Sequence, residues 1–158
     1  MRALLLLSFA LVLRADERTQ QLAERLAHGA LTDRLIKAFF EVHQELGGGF
    51  SETLYANAYE IALKGAGIAF ERERAVSVRF RGQFVGVGRP DFIADGAVIV
   101  ECKAVRQLDD WHRGQLLHYL RASGLTVGLL LNFGPRPTFA RIVLGAKDGN
   151  DNGNRDRG

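Results

Sequence analysis

One short stretch, Ala97–Lys103, limits the architectures open to this chain more than any other. Successive side chains of a strand point to opposite faces. On that alternation Val98, Val100 and Cys102 face one way, and Ala97, Ile99, Glu101 and Lys103 the other. The first half is apolar on both faces, so the strand must lie centrally in a sheet covered on both sides. The second half sets an acid and a lysine on one face of that core strand. Charges are seldom placed there unless paired or used.

The flanking segments supply the layers. Thr32–Leu46 has helical spacing, with Leu35, Ile36, Phe39, Val42 and Leu46 on one stripe and Thr32 as its expected cap. Gly47-Gly48-Gly49 ends it. A second helix is expected after the N-cap Ser51, with Phe50 stapled onto Tyr55, an apolar stripe of Leu54, Ala58, Ile61 and Ala62, and a stop at Gly65 and Gly67. The period then falls to two. Val76, Val78 and Phe80 alternate with Ser77, Arg79 and Arg81, as in a half-buried strand. Phe84, Val85 and Val87 begin a second strand that continues past Pro90-Asp91 through Phe92 and Ile93. Asp95-Gly96 turns it into Ala97–Lys103. Helical spacing returns from Leu108 to Ser123, with Asp109 or Asp110 to cap and Gly124 to end it. Thr126–Leu131 and Phe139–Leu144 read as two further strands. The order is helix, helix, three antiparallel strands, helix, strand, strand: an α/β (α+β) domain with a mixed sheet flanked by helices, over residues 31–144.

The ends differ from this domain. Ala3–Leu13 is apolar, like a signal-peptide core, but too short to span a bilayer. Residues 1–30 are an extension with three readings: a start assigned upstream, a signal or anchor, or an extra helix. Residues 145–158 hold Gly, Asn, Asp, Arg, Lys and a single Ala, and read as a disordered tail. An apolar fraction of 47% with 25% charged residues excludes wholesale disorder and a stable membrane span. The net charge of +3 permits a nucleic-acid partner without demanding one. Cys102 is the single cysteine, so no internal disulfide exists and a reducing cytoplasm fits best.

Antiparallel pairing across the Asp95-Gly96 turn brings Asp91 opposite the Glu101 region. Two carboxylates with a backbone carbonyl and waters form an oxygen-rich site suited to Mg2+ or Mn2+. Such a cation can polarise a phosphate and lower the pKa of a water, and Lys103 can hold that water or offset charge on the phosphate oxygens. These are the parts needed to hydrolyse a phosphodiester.

Pro90-Asp91 followed by Glu101-Cys102-Lys103 resembles the PD-(D/E)XK nuclease signature. Gly49-Phe50-Ser51-Glu52-Thr53-Leu54-Tyr55 fits G-x-x-E-x-x-Y, the motif of the GxxExxY family within that superfamily. Gln115-Leu116-Leu117-His118-Tyr119 matches the Q-x-x-x-Y motif of its RecB-like branch. Each motif alone is weak, and their order and placement make the joint signal strong. The resemblance implies a restriction-endonuclease-like αβββαβ core. It implies that Asp91, Glu101 and Glu52 bind the metal and that Lys103 is the catalytic lysine. It also implies that Tyr55, Gln115 and Tyr119 contact the substrate, most readily DNA. The small size of the chain separately points to a homodimer or a protein partner that supplies specificity.

Plainer roles compete for several of these residues. Glu101 and Lys103 suit a salt-bridged strand end, Glu52 suits the first turn of a helix, and Tyr55 and Tyr119 suit packing. His43, His112 and His118 are expected to be structural or exposed, and Cys102 to be a small core residue. A second reading keeps the fold and drops the chemistry, leaving a silent domain that binds nucleic acid or protein.

Overall fold

In a computed structural model the protein is described over residues 28–144, together with Thr19 and Leu22. The expectations for most of residues 1–30, and that of a disordered tail, lie outside the described residues. Helix α1 (Gly29–Leu46) and helix α2 (Glu52–Gly65) come first. They are followed by strands β1 (Phe70–Arg72), β2 (Val76–Phe80), β3 (Gln83–Gly88), β4 (Phe92–Ala94) and β5 (Val98–Lys103). Helix α3 (Asp110–Ser123) leads to β6 (Val127–Asn132) and β7 (Thr138–Val143).

Five strands form one mixed sheet in the order β1-β4-β5-β6-β7. Only β5 and β6 run parallel, across the α3 crossover. All six residues of β5 are buried, as its two apolar faces require. Val98, Val100 and Cys102 pack with Leu35, Phe39, Tyr59 and Phe133 beneath α1 and α2. Ile99 packs on the opposite side with Leu116 and Leu120 of α3. This is the helix-flanked mixed sheet of restriction-endonuclease-like type that the sequence predicts.

The strands feeding β5 differ from expectation. The alternating Val76–Phe80 segment is not in the main sheet. It pairs with β3 as a separate two-stranded ribbon, and of Val76, Val78 and Phe80 only Val76 is buried. The outer strand of the βββ unit is instead β1, which pairs antiparallel with β4. Phe70-Glu71-Arg72, followed by Glu73 and Arg74, carries no period-two apolar signal, so β1 is set by pairing and not by pattern. The long strand expected from Phe84 to Ile93 is cut in two around Pro90, which has no N–H to give a ladder.

The helices carry smaller corrections. Thr32 does not cap α1; it is buried, with its hydroxyl donating to Gly29 O, and α1 begins at Gly29. Ser51 is the N-cap of α2, without a side-chain hydrogen bond. Phe50 does staple onto Tyr55, ring centroids 6.0 Å apart. The buried stripe of α2 is Tyr55, Ala56, Tyr59 and Leu63, while Leu54 and Ile61 are exposed. The aromatic rings win the core because they remove more apolar area from water. Helix α3 is as predicted: Asp109 caps it by accepting from His112 N, and Gly124 ends it in a left-handed conformation.

Phe133, just beyond β6, is the hub of the first core. Its ring stacks on Tyr55 at 4.8 Å and meets Phe39 edge-on at 4.7 Å. Phe133→Ala is expected to cost about 3–5 kcal/mol, a large part of the roughly 5–15 kcal/mol that holds a domain together. Urea unfolding followed by circular dichroism measures it.

Candidate active site

Sheet register assembles the site. Phe92 pairs with Val100, which leaves Asp91 beside Glu101 where β4 begins. The two are locked reciprocally. Asp91 N donates to Glu101 Oε1 at 3.2 Å, and Cys102 N donates to Asp91 Oδ2 at 2.7 Å. Two residues on, Lys103 Nζ donates to Glu101 Oε2 at 3.3 Å and to Gln115 Oε1 of α3 at 2.9 Å. Glu52, in the first turn of α2, brings Oε1 to 3.8 Å from the same ammonium. Asp91, Glu101, Lys103, Gln115 and Glu52 are therefore brought together from four elements, three of them helix or strand ends.

Burial decides the electrostatics. Glu101 is 3% exposed and Lys103 9%. Burial, followed by repulsion from Asp91, pushes the Glu101 carboxyl up to about 7 against the opposing pull of Lys103. Asp91 is raised too, by burial, although the Cys102 N–H resists. For Lys103 burial acts downwards, but Glu101 and Glu52 outweigh it and hold the ammonium above its ordinary value. The lysine thus stays charged, and Glu101 bears the strain of two acids sharing one cation. Burial raises the Cys102 thiol, which stays neutral in the core and is no nucleophile.

This charge imbalance is also a test of fit for a metal. Two carboxylates on adjacent strands against one lysine leave hard oxygen donors in excess, a chemistry that suits Mg2+ or Mn2+. Among the described residues no group of three or more His, Cys, Asp or Glu side chains has metal-holding geometry. The donors this chain would offer a divalent cation are the Asp91–Glu101 pair, and Mg2+ commonly takes its remaining oxygens from water and phosphate. Glu52, expected as a third ligand, brings its carboxylate to the Lys103 ammonium.

One expected substrate contact is placed elsewhere. Tyr55 is fully buried. Its hydroxyl donates to Gly47 O at 2.5 Å and accepts from Phe50 N at 3.3 Å. A ring closed off from solvent cannot touch substrate; it ties down the turn from which α2 and Glu52 spring. Gly49 belongs to that turn with φ 114°, a conformation that favours glycine. Tyr119, one turn beyond Gln115, packs on the backbone of Gly88, where an added Cβ would stand 2.5 Å from its ring carbon Cε1. His112 caps α3, and His43 Nε2 is 3.0 Å from Gly134 O, so both are structural.

Asn132 was not singled out in the sequence. It is fully buried and register-paired with Lys103. Its side chain accepts from Val105 N at 3.0 Å and donates to Val105 O at 3.0 Å, clamping the loop that leaves Lys103. The signal was available: a lone amide ending the apolar run Leu129-Leu130-Leu131 repeats the oddity of Glu101 on the neighbouring strand.

A family model described as the PD-(D/E)XK nuclease superfamily matches residues 29–142. Among solved structures, one described as the crystal structure of SSO0001 is similar, at 25% sequence identity and a TM-score of 0.49. The match covers 58% of this chain and 48% of that one, so the chain spans about half the length of the structure it matches. No curated protein matches the chain. No helix among the described residues is long and apolar enough to cross a membrane.

Proposed function

The chain belongs to the PD-(D/E)XK nuclease superfamily, and from that premise we propose that it is a divalent-metal-dependent nuclease hydrolysing phosphodiester bonds of DNA. The observation that carries the reading is the pair of buried acids, Asp91 and Glu101, from adjacent strands, with Lys103 against one of them. Asp91 and Glu101 would hold Mg2+ or Mn2+. Bound there, the cation supplies Lewis-acid polarisation of the scissile phosphate and a water of lowered pKa.

The chain's own groups do the rest. The Asp91–Cys102 hydrogen bond fixes one carboxylate to the β5 backbone, so the donor pair is preorganised. Lys103, charged and held by Glu101 and Gln115, orients the attacking water and offsets charge growing on the phosphate. Gln115 restrains the ammonium from the α3 side and Glu52 from the α2 side. The Gly49, Glu52 and Tyr55 spacing supports assignment to the GxxExxY branch, with Tyr55 acting through the turn that positions Glu52. Gln115 supports a RecB-like relation.

The test is a cleavage assay on linear and circular, single- and double-stranded DNA, with Mg2+, Mn2+ or EDTA, paired with Mn2+ calorimetry. Cutting that EDTA abolishes is the expected outcome, with Mn2+ binding lost in Asp91→Asn. A folded protein that neither binds Mn2+ nor cuts any substrate would leave a silent binding domain in its place.

A further inference from the structure

The β2–β3 ribbon leaves the sheet within three residues of Asp91, and nothing in the catalytic scheme uses it. From Val76 to Arg89 the chain carries Arg79, Arg81 and Arg89 and no Asp or Glu. Apart from buried Val76 and half-buried Gly86 and Gly88, the ribbon is exposed, including Phe80 at 63% and Phe84 at 60%. Register sets Arg79 across from Phe84, with a bulge after Val78. Arg81 lies over the Phe80 ring at 5.1 Å. A lone two-stranded ribbon is marginal in water, and apolar groups this exposed mark a contact surface.

The base of the ribbon is anchored at the site. Gly88 packs under Tyr119 of α3, and Val76 joins the core of Leu116 and Leu120. Arg89 donates to Glu73 O at 3.1 Å, and Glu73 N in turn to Asp91 O at 3.0 Å. Five residues of β2 reach about 17 Å from that anchor.

We propose that this ribbon is a grip for B-form double-stranded DNA beside the scissile phosphate, with Arg79 and Arg81 on phosphates and Phe80 and Phe84 against the groove. The proposal rests on the nuclease reading and names its substrate class. Charge selects the occupant. An arm with arginines and no acids suits a polyanion, and two copies of it would repel across a twofold axis. Shape selects the form. The major groove of B-DNA admits a two-stranded ribbon, whereas that of A-form RNA is deep and narrow. A single strand is normally held in a charged groove, and this ribbon is exposed on both faces.

The experiment measures binding by the full-length chain to a labelled 20-base-pair DNA duplex, the matching RNA duplex and the single strand, in EDTA and in Ca2+. Arg79→Gln/Arg81→Gln is expected to weaken DNA-duplex binding at least about tenfold and to reduce the slope of log affinity against log salt by about 2. Both residues are exposed, so the fold should hold, and circular dichroism verifies it. Phe80→Ser/Phe84→Ser, examined by light scattering, tests the rival occupant. The proposal is overturned if the arginine variant binds the DNA duplex like the parent, or if RNA duplex or single strand is bound as tightly. It is also overturned if the phenylalanine variant turns a dimer into a monomer with DNA affinity unchanged. Failure of the nuclease reading looks different: a chain that binds the duplex through these arginines but cuts nothing in Mn2+.

Discussion

Lys103→Met should lower single-turnover DNA cleavage by about a thousandfold, the range seen when a preorganised charge is removed from a reacting centre. That factor corresponds to about 4 kcal/mol of barrier. Methionine matches the length of the lysine stem and suits a position only 9% exposed, so the fold should persist. Two effects add. The first is loss of the group proposed to orient water and face the phosphate. The second acts through Glu101, which loses the cation that pulls its carboxyl down from an already high value of about 7. More of the variant's Glu101 is then protonated near neutral pH, and its residual activity should climb more steeply between pH 7 and 9 than the parent's. Lys103→Arg is not a rescue, because the planar guanidinium cannot occupy a pocket formed around a compact ammonium by Glu52, Glu101 and Gln115. Cleavage by Lys103→Met within tenfold of the parent would remove Lys103 from the mechanism.

The central strand and its chemistry were readable because both rest on local pattern. Alternation in Ala97–Lys103 separates the faces without reference to the rest of the chain, and a charged pair on a core strand is anomalous in any fold. The Asp95-Gly96 turn then fixes which residue comes opposite Glu101. Helix α3 was readable to its caps, since Asp109 and Gly124 are chemical signals of start and stop. What was misread depends on competition between segments. Val76–Phe80 has a better strand pattern than Phe70–Arg72, yet Phe70–Arg72 pairs with β4 and Val76–Phe80 does not. On α2, two apolar stripes are possible, and which one faces the sheet follows from the stacking of Tyr55 on Phe133, a residue 78 positions away. The site divides the same way. Asp91, Glu101 and Lys103, placed by strand alternation and the turn, do lie together, whereas the loop clamp made by Asn132 and the inward turn of the Tyr55 hydroxyl depend on contacts between distant segments.

Glu101→Gln should make the metal-free protein insensitive to a pH change that weakens the parent. The Glu101 carboxyl stands at about 7 when folded, against an ordinary 4.5. The folded state therefore binds more protons than the unfolded state between these values, and stability falls as pH rises through that window. Below about 4.5 the penalty is absent; above about 7 it is complete. The shift is equivalent to about 3 kcal/mol. Asp91, raised in the same sense by burial, extends the trend at the acid end. Glutamine cannot ionise, keeps an acceptor for Asp91 N, and removes the repulsion on Asp91. It gives up the charge-assisted bond from Lys103, which holds its gain at high pH below the full shift. Urea unfolding in EDTA should then show the parent losing about 2 kcal/mol from pH 5 to pH 8 while Glu101→Gln stays nearly flat, with the two curves converging at the acid end. Saturating Mn2+ should restore the parent at pH 8, since a ligand binding only the folded state stabilises it, and should leave Glu101→Gln unchanged. On the proposed mechanism the same variant should cut no DNA, because the charge that burdens the metal-free protein is the one a bound cation would need. Equal pH slopes in parent and variant would mean that Glu101 is ionised at no cost, and the argument for a cation between Asp91 and Glu101 would fall with it.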